Sequence, residues 1–159
     1  GAVLLAQLER FEEQQQRRDH NSAVLNAELA RIPGVHPQAR DPRCDRQGNY
    51  CYVVRIDPDE FGAEREPVRL ALAAEGISLT MSYPPVHQLD VFRDPDGFAP
   101  RFRDRTGMQD WASLSLPVTE RLAATTLWFT TSVLMGSEAD ALDVVRAVEK
   151  VHHNAGALS

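Results

Sequence analysis

Lysine is nearly missing from this chain, which carries sixteen arginines and one lysine, Lys150, in 159 residues. Any chemistry that runs through a lysine amine therefore has a single candidate. Cysteine is almost as scarce. Cys44 and Cys51 stand six residues apart in the intervening sequence, which matches neither a CxxC redox pair nor a zinc knuckle. Two free thiols, one of them on a strand, are expected. The sequence shows neither a signal-peptide pattern nor an apolar run of membrane-spanning length, and a reduced cytoplasmic setting without membrane contact is the expectation. Positive charge is also in deficit. A formal net charge of -6 and a pI near 5.3 argue against nucleic acid as a partner, because phosphate binding needs clustered cations. No Gly-rich phosphate loop, GxSxG or HExxH occurs.

What is present is the composition of a packed protein. Hydrophobic residues make up 43% and charged residues 25%, enough apolar material for a core. The chain opens on "GAVLLAQLERF", without an initiating Met and already in helical periodicity, so Gly1 reads as a cut point or tag remnant.

From Val3 to Ile32 the spacing of Leu4, Leu8, Phe11, Leu25, Leu29 and Ile32 follows a helical stripe around a wholly polar middle, "EEQQQRRDHNS". Pro33-Gly34 ends it. A helix of about thirty residues would span roughly 45 Å at 1.5 Å per residue, long enough to connect two bodies. "VHPQARDPRCDRQG" reads as a loop and "NYCYVVRID" as a strand. Pro67 opens a helix over "VRLALAAE", Gly76 is its C′ residue, and "ISLTMS" is a second strand. Strand, helix, strand within about thirty-five residues gives an α/β (α+β) layer. After a long irregular stretch, "LPVTERLAATT" predicts a short helix, "LWFTTSVL" a third strand, and "SEADALDVVRAVEKVHH" a closing helix with Ser137 and Asp140 at capping-box spacing.

Among residues that could carry chemistry, Tyr83 and His87 flank the rigid Pro84-Pro85 directly after a strand. That arrangement fixes the backbone and can present a phenol and an imidazole at a domain edge. From spacing alone the plainer account is preferred: Pro-Pro ends the strand, Tyr83 packs, and His87 is solvated. His152, His153 and Asn154 close a helix without an i, i+4 partner, and His20 and His36 also lack partners, so no metal site is expected. Arg101, Arg103 and Arg105 alternate and could grip an anion, although a solvated loop explains them as well.

Taken in order, several segments resemble the DegT/DnrJ/StrS-type aminotransferases, fold-type I pyridoxal-phosphate enzymes that aminate sugars, inososes and related antibiotic precursors. "AVLLAQLERFEEQQQRRDHNSAVLNAELARIPGV" is similar to the long helix after that family's large domain. "NYCYVVRI" resembles the first strand of its small domain, and "LALAAEGISLTMSYPPVH" its helix, strand and Tyr-Pro-x-x-His signature. "LPVTERLAATTLWFTTSVLMG" resembles its closing segment, with more of the cyclitol and aminohydroxybenzoate members in it than of the nucleotide-sugar ones.

The resemblance implies a small C-terminal aminotransferase domain at 34–159, with about three strands packed by helices, preceded by a connecting helix at 1–33. It implies that the large domain, which bears the aldimine lysine, the Asp for the pyridine nitrogen and the phosphate cup, is absent from the chain. No catalytic, cofactor-binding or metal residue is then expected here, and Lys150 is expected to face solvent. The intact enzyme would use pyridoxal 5′-phosphate, an amino donor such as glutamine or glutamate, and a ketone acceptor, and would form a homodimer; the chain alone would be inactive. His87, Tyr83 and Tyr50 become the expected substrate-side residues. The alternative is a free-standing α/β binding or dimerisation module without catalysis.

Overall fold

In the computed structural model, which describes residues 1–93 and 113–158, helix α1 (Ala2–Leu29) has two different halves. Its first eleven residues are exposed throughout. Further along, Asn21, Leu25 and Leu29 repeat at every fourth position and are fully buried, the spacing that puts side chains on one face of a helix. Ala30 caps the helix, and the chain reverses at Gly34, whose φ of +74° lies in the left-handed region. Gly34 also has a packing reason, since a Cβ there would overlap the Phe61 backbone nitrogen.

The sheet has four strands where three were expected. Strand β1 (Val35–Pro37) falls in the segment that reads as a loop, and it pairs antiparallel with β2 (Cys51–Ile56) from Val35 opposite Ile56 to Pro37 opposite Val54. The turn α2 (Pro58–Phe61) and helix α3 (Arg65–Ala74) follow, with Pro67 in the first turn of α3 and Gly76 at φ +87° beyond its end. Then come β3 (Leu79–Met81) and, later in the chain, β4 (Thr126–Thr130). The order across the sheet is β1-β2-β4-β3, every pair antiparallel. Beyond Thr130 the expected strand "LWFTTSVL" turns into a 3₁₀ turn, Thr131–Leu134.

The α/β expectation holds, with helices packed on one face of the sheet. Burial alternates along β2, so Tyr52, Val54 and Ile56 face the core while Cys51, Val53 and Arg55 lie half-buried on the other side. From β4, Leu127 and Phe129 join them, and Tyr52 meets Phe129 edge to face at 6.0 Å between centroids. Leu25, Leu29, Val68 and Leu72 are each at most 1% exposed, each burial contributing about 1.5–3 kcal/mol. The closing helix α6 (Glu138–His153) lies against α1 and α3. Its N-terminus carries the expected capping box: Ser137 Oγ accepts from the Asp140 amide, and Asp140 Oδ2 accepts from the Ser137 amide.

The chain forms two compact units, Gly1–Met81 with Thr125–Ser159, and Ser82–Ala124. The first holds the sheet and its core. In the second, the described residues form a 3₁₀ turn, Val86–Gln88, the short helix α4 (Asp90–Arg93) and most of α5 (Pro117–Thr125).

Candidate functional site

Tyr50 belongs to the unit that holds the sheet. It is 84% exposed, although the backbone around it is firmly tied. Three polar side chains on α1, spaced so that they share a face, strap down the loop that leads into β2. Glu12 pairs with Arg46, Gln15 donates to the Gln47 carbonyl, and Asp19 Oδ1 accepts from Asn49 Nδ2 at 2.7 Å. Gln15, 1% exposed, also takes a hydrogen bond from Arg18 at 2.8 Å and donates to Asp19 at 3.3 Å. The Arg46 guanidinium, with help from Gln16, holds the Glu12 carboxyl below its ordinary range. Asn49 adopts φ +46°, a conformation that Asn tolerates better than most residues. The carbonyl of Tyr50 accepts from Thr131 Oγ1. The phenol therefore projects outward from a fixed backbone.

Tyr83 and His87 share the other unit and differ sharply in exposure. Tyr83 is 75% exposed, whereas His87, expected at a solvated edge, is 6% exposed. The sequence between them is stiff. The Gln88 amide donates to the Pro85 carbonyl at 2.8 Å and the Leu89 amide to that of Val86 at 3.2 Å, closing the 3₁₀ turn. Ser82 Oγ donates to the Ala123 carbonyl at 2.9 Å. His87 Nε2 lies 3.0 Å from Glu120 Oε1, and the same oxygen accepts from the Leu116 amide at 2.9 Å. The Leu116 amide first, and His87 after it, hold the Glu120 carboxyl below its ordinary value against the opposing cost of desolvation.

Lys150 stands where the sequence put it, toward solvent. Its side chain is 63% exposed, and Nζ lies 2.8 Å from both carboxylate oxygens of Glu75. A lysine that forms an imine needs an amine freed of its proton and sheltered from water. Lys150 is open to water and engaged by a carboxylate, so the described residues do not fit the covalent anchoring of a carbonyl cofactor.

The remaining candidates have other surroundings. His20 and His36, expected without partners, each stand beside a carboxylate, Glu138 at 2.7 Å and Glu60 at 3.5 Å. His152 packs edge-on to Phe61, and His153 Nδ1 lies 2.7 Å from the Glu149 carbonyl. Among the described residues no cluster of three or more His, Cys, Asp or Glu is placed to hold a metal. Cys44 and Cys51 are free thiols, and burial pushes the Cys51 thiol up. Arg101, Arg103 and Arg105 lie outside the described residues. The groups that sequence reasoning missed are Glu120, Asp19 and Gln15. Glu120 gave one usable signal, an acid in the first turn of a helix opened by Pro117.

With this geometry in view, comparison with known proteins is informative. The family model for the DegT/DnrJ/EryC1/StrS aminotransferase family matches residues 1–149. The chain is 34% identical over 157 residues to an L-glutamine:2-deoxy-scyllo-inosose aminotransferase from Micromonospora echinospora, a match covering 97% of this chain and 36% of that protein. It is 28% identical over 141 residues to the 3-amino-5-hydroxybenzoate synthase of Amycolatopsis mediterranei, covering 87% and 34%. Among solved structures, 3-amino-5-hydroxybenzoic acid synthase superposes with a TM-score of 0.71 at 25% identity over 93% of this chain and 36% of that one. The chain thus spans little more than a third of the length of the relatives it matches.

Proposed function

Because this chain belongs to the DegT/DnrJ/EryC1/StrS aminotransferase family, we propose that it is the C-terminal portion of a pyridoxal-phosphate-dependent aminotransferase. The intact protein moves an amino group from glutamine or glutamate to a ketone on a cyclitol or related hydroxylated ring. The observation that carries this reading is the likeness to a glutamine-dependent inosose aminotransferase along nearly all of the chain. Pyridoxal phosphate, when bound, supplies the electron sink for the transfer. Its anchoring lysine belongs to the part of the protein beyond these residues, since Lys150 is committed to Glu75.

This portion shapes and closes the acceptor side of the site. Tyr50 in one unit, and Tyr83 in the other, each carry an exposed phenol suited to hydrogen-bond a substrate hydroxyl. His87 is buried, so its part is to hold the Tyr-Pro-Pro turn. The exposed stripe of Leu4, Leu8 and Phe11 on α1 supports a further body covering that face, as contiguous apolar surface marks an interaction site. The intact enzyme is a cytoplasmic homodimer in this reading.

The test begins with the coding DNA ahead of the Gly1 codon. An in-frame segment encoding a lysine-bearing cofactor domain, and glutamine-dependent amination of a 2-deoxy-inosose by the whole protein, are the expected results. A stop codon or a start site immediately before Gly1 would sink the proposal and leave a binding module.

A further inference from the structure

Glu120 Oε1 gathers two partners from different segments. The Leu116 amide reaches it at 2.9 Å and His87 Nε2 at 3.0 Å. An ionised carboxylate has only lone pairs to offer, so both partners must donate. The amide does so by nature. For His87 the consequence is a fixed donor: a hydrogen resides on Nε2 and points at the carboxylate. The ring is 6% exposed, so this carboxylate replaces water as the partner for its N–H. Val86–Gln88 is thereby anchored to the first turn of α5, and Tyr83, 75% exposed, sits at the other end of the same Pro-Pro segment. Two prolines with fixed φ transmit the position of one end to the other.

We propose that Glu120 is a positioning residue, whose carboxylate locks His87 in the Nε2–H form and so sets the Tyr83-Pro84-Pro85 turn where its phenol meets the hydroxylated ring of the acceptor. The ligand half of this statement rests on the aminotransferase reading; the lock itself does not. Glu120 touches no reacting atom in this scheme and acts through His87.

The lock is read on the 159-residue chain itself by nitrogen NMR of its labelled histidines, with His87→Gln identifying the signal. In the wild type the His87 Nε2 signal is expected to be that of a single, fully hydrogen-bearing nitrogen. In Glu120→Gln, whose side chain can donate as well as accept, a mixture of tautomers is expected, while Glu120→Asp tests reach alone. A wild-type ring without hydrogen on Nε2 overturns the proposal, and so does an unchanged Nε2 signal in Glu120→Gln. Should that variant not fold, the wild-type spectrum decides by itself. In the complete enzyme, Glu120→Gln is expected to raise KM for the ketone about tenfold, one hydrogen bond's worth, with kcat for the amino donor half-reaction unchanged. Equal losses in both half-reactions overturn the positioning role. Because the NMR arm needs no turnover, failure of the aminotransferase reading and failure of the lock are separately visible.

Discussion

Asn49 Nδ2 reaches back thirty positions to donate to Asp19 Oδ1 at 2.7 Å, and this bond joins a left-handed residue before β2 to the polar middle of α1. Asn49 is 7% exposed, so its amide finds little water if the bond is lost. Together with Glu12 and Gln15, Asp19 makes α1 a spine for the Tyr50 loop.

Replacing Asn49 by glycine keeps the φ of +46° easy while removing the side-chain bond; replacing it by alanine removes both. Loss of a hydrogen bond to a charged acceptor is expected to cost about 1.5–3 kcal/mol in urea unfolding. The alanine variant is expected to fall further by about 1 kcal/mol for the strained backbone. Wild-type stability in the glycine variant would show that the bond contributes nothing.

The two halves of α1 should respond oppositely to truncation. Leu25 is fully buried whereas Leu8 is 64% exposed. Leu25→Ala is expected to cost about 2–5 kcal/mol, and Leu8→Ala to stay within about 0.5 kcal/mol in the isolated chain. A Leu8→Ala loss as large as that of Leu25→Ala would mean that the stripe is covered in solution, and sedimentation would then reveal a second copy.

The capping box gives α6 a pH dependence of known sign. The Ser137 hydroxyl, and then its amide, hold the Asp140 carboxyl below its ordinary value of 3.8. A carboxyl lowered on folding contributes stability that is complete above that value and disappears as the pH falls through the folded one. Ser137→Ala is expected to lose about 1 kcal/mol at pH 7, and the gap between variant and wild type should narrow below pH 3.8. Parallel unfolding curves from pH 7 to pH 2 would contradict this assignment.

Lys150 offers a control for the chemistry. Its exposed pair with Glu75 belongs to a class worth at most about 1 kcal/mol. Lys150→Ala is therefore expected to remain folded, and in the complete enzyme to turn over as the parent does. Borohydride reduction of the complete enzyme with cofactor should label a lysine elsewhere, and mass spectrometry finding the label on Lys150 would overturn the assignment of a missing anchor.

Much of the fold was written in local pattern. The 3.6-residue stripe of α1, the β-branched run of β2, Pro67 and Gly76 around α3, and the Ser137 cap are all signals that act over a few residues. The rest depended on partners far away in sequence. β1 is three residues ending in a proline, too short to alternate, and exists because Val35 and His36 meet Ile56 and Arg55. Gln15 lies in a run that reads as wholly solvated, yet it is buried against a loop thirty-two positions on. His87 read as a solvated edge residue for the same reason: its carboxylate lies thirty-three positions later. No spacing rule connects such pairs, because hydrogen-bond partners are chosen after the chain has folded.

The strand order β1-β2-β4-β3 has a consequence for the order in which the protein can be made. β2 and β3 share no hydrogen bond; each pairs with β4, the last of these four strands in sequence. Until Thr130 has emerged, the nascent chain holds two strands whose inner edges are open, and such edges are templates for pairing with other chains. Sheet closure is thus a late, long-range event with a large loop-closure cost. A ribosome stalled between Met81 and Thr126 would hold α1, α3 and the β1–β2 pair without the strand that joins them to β3, a species for chaperones to hold.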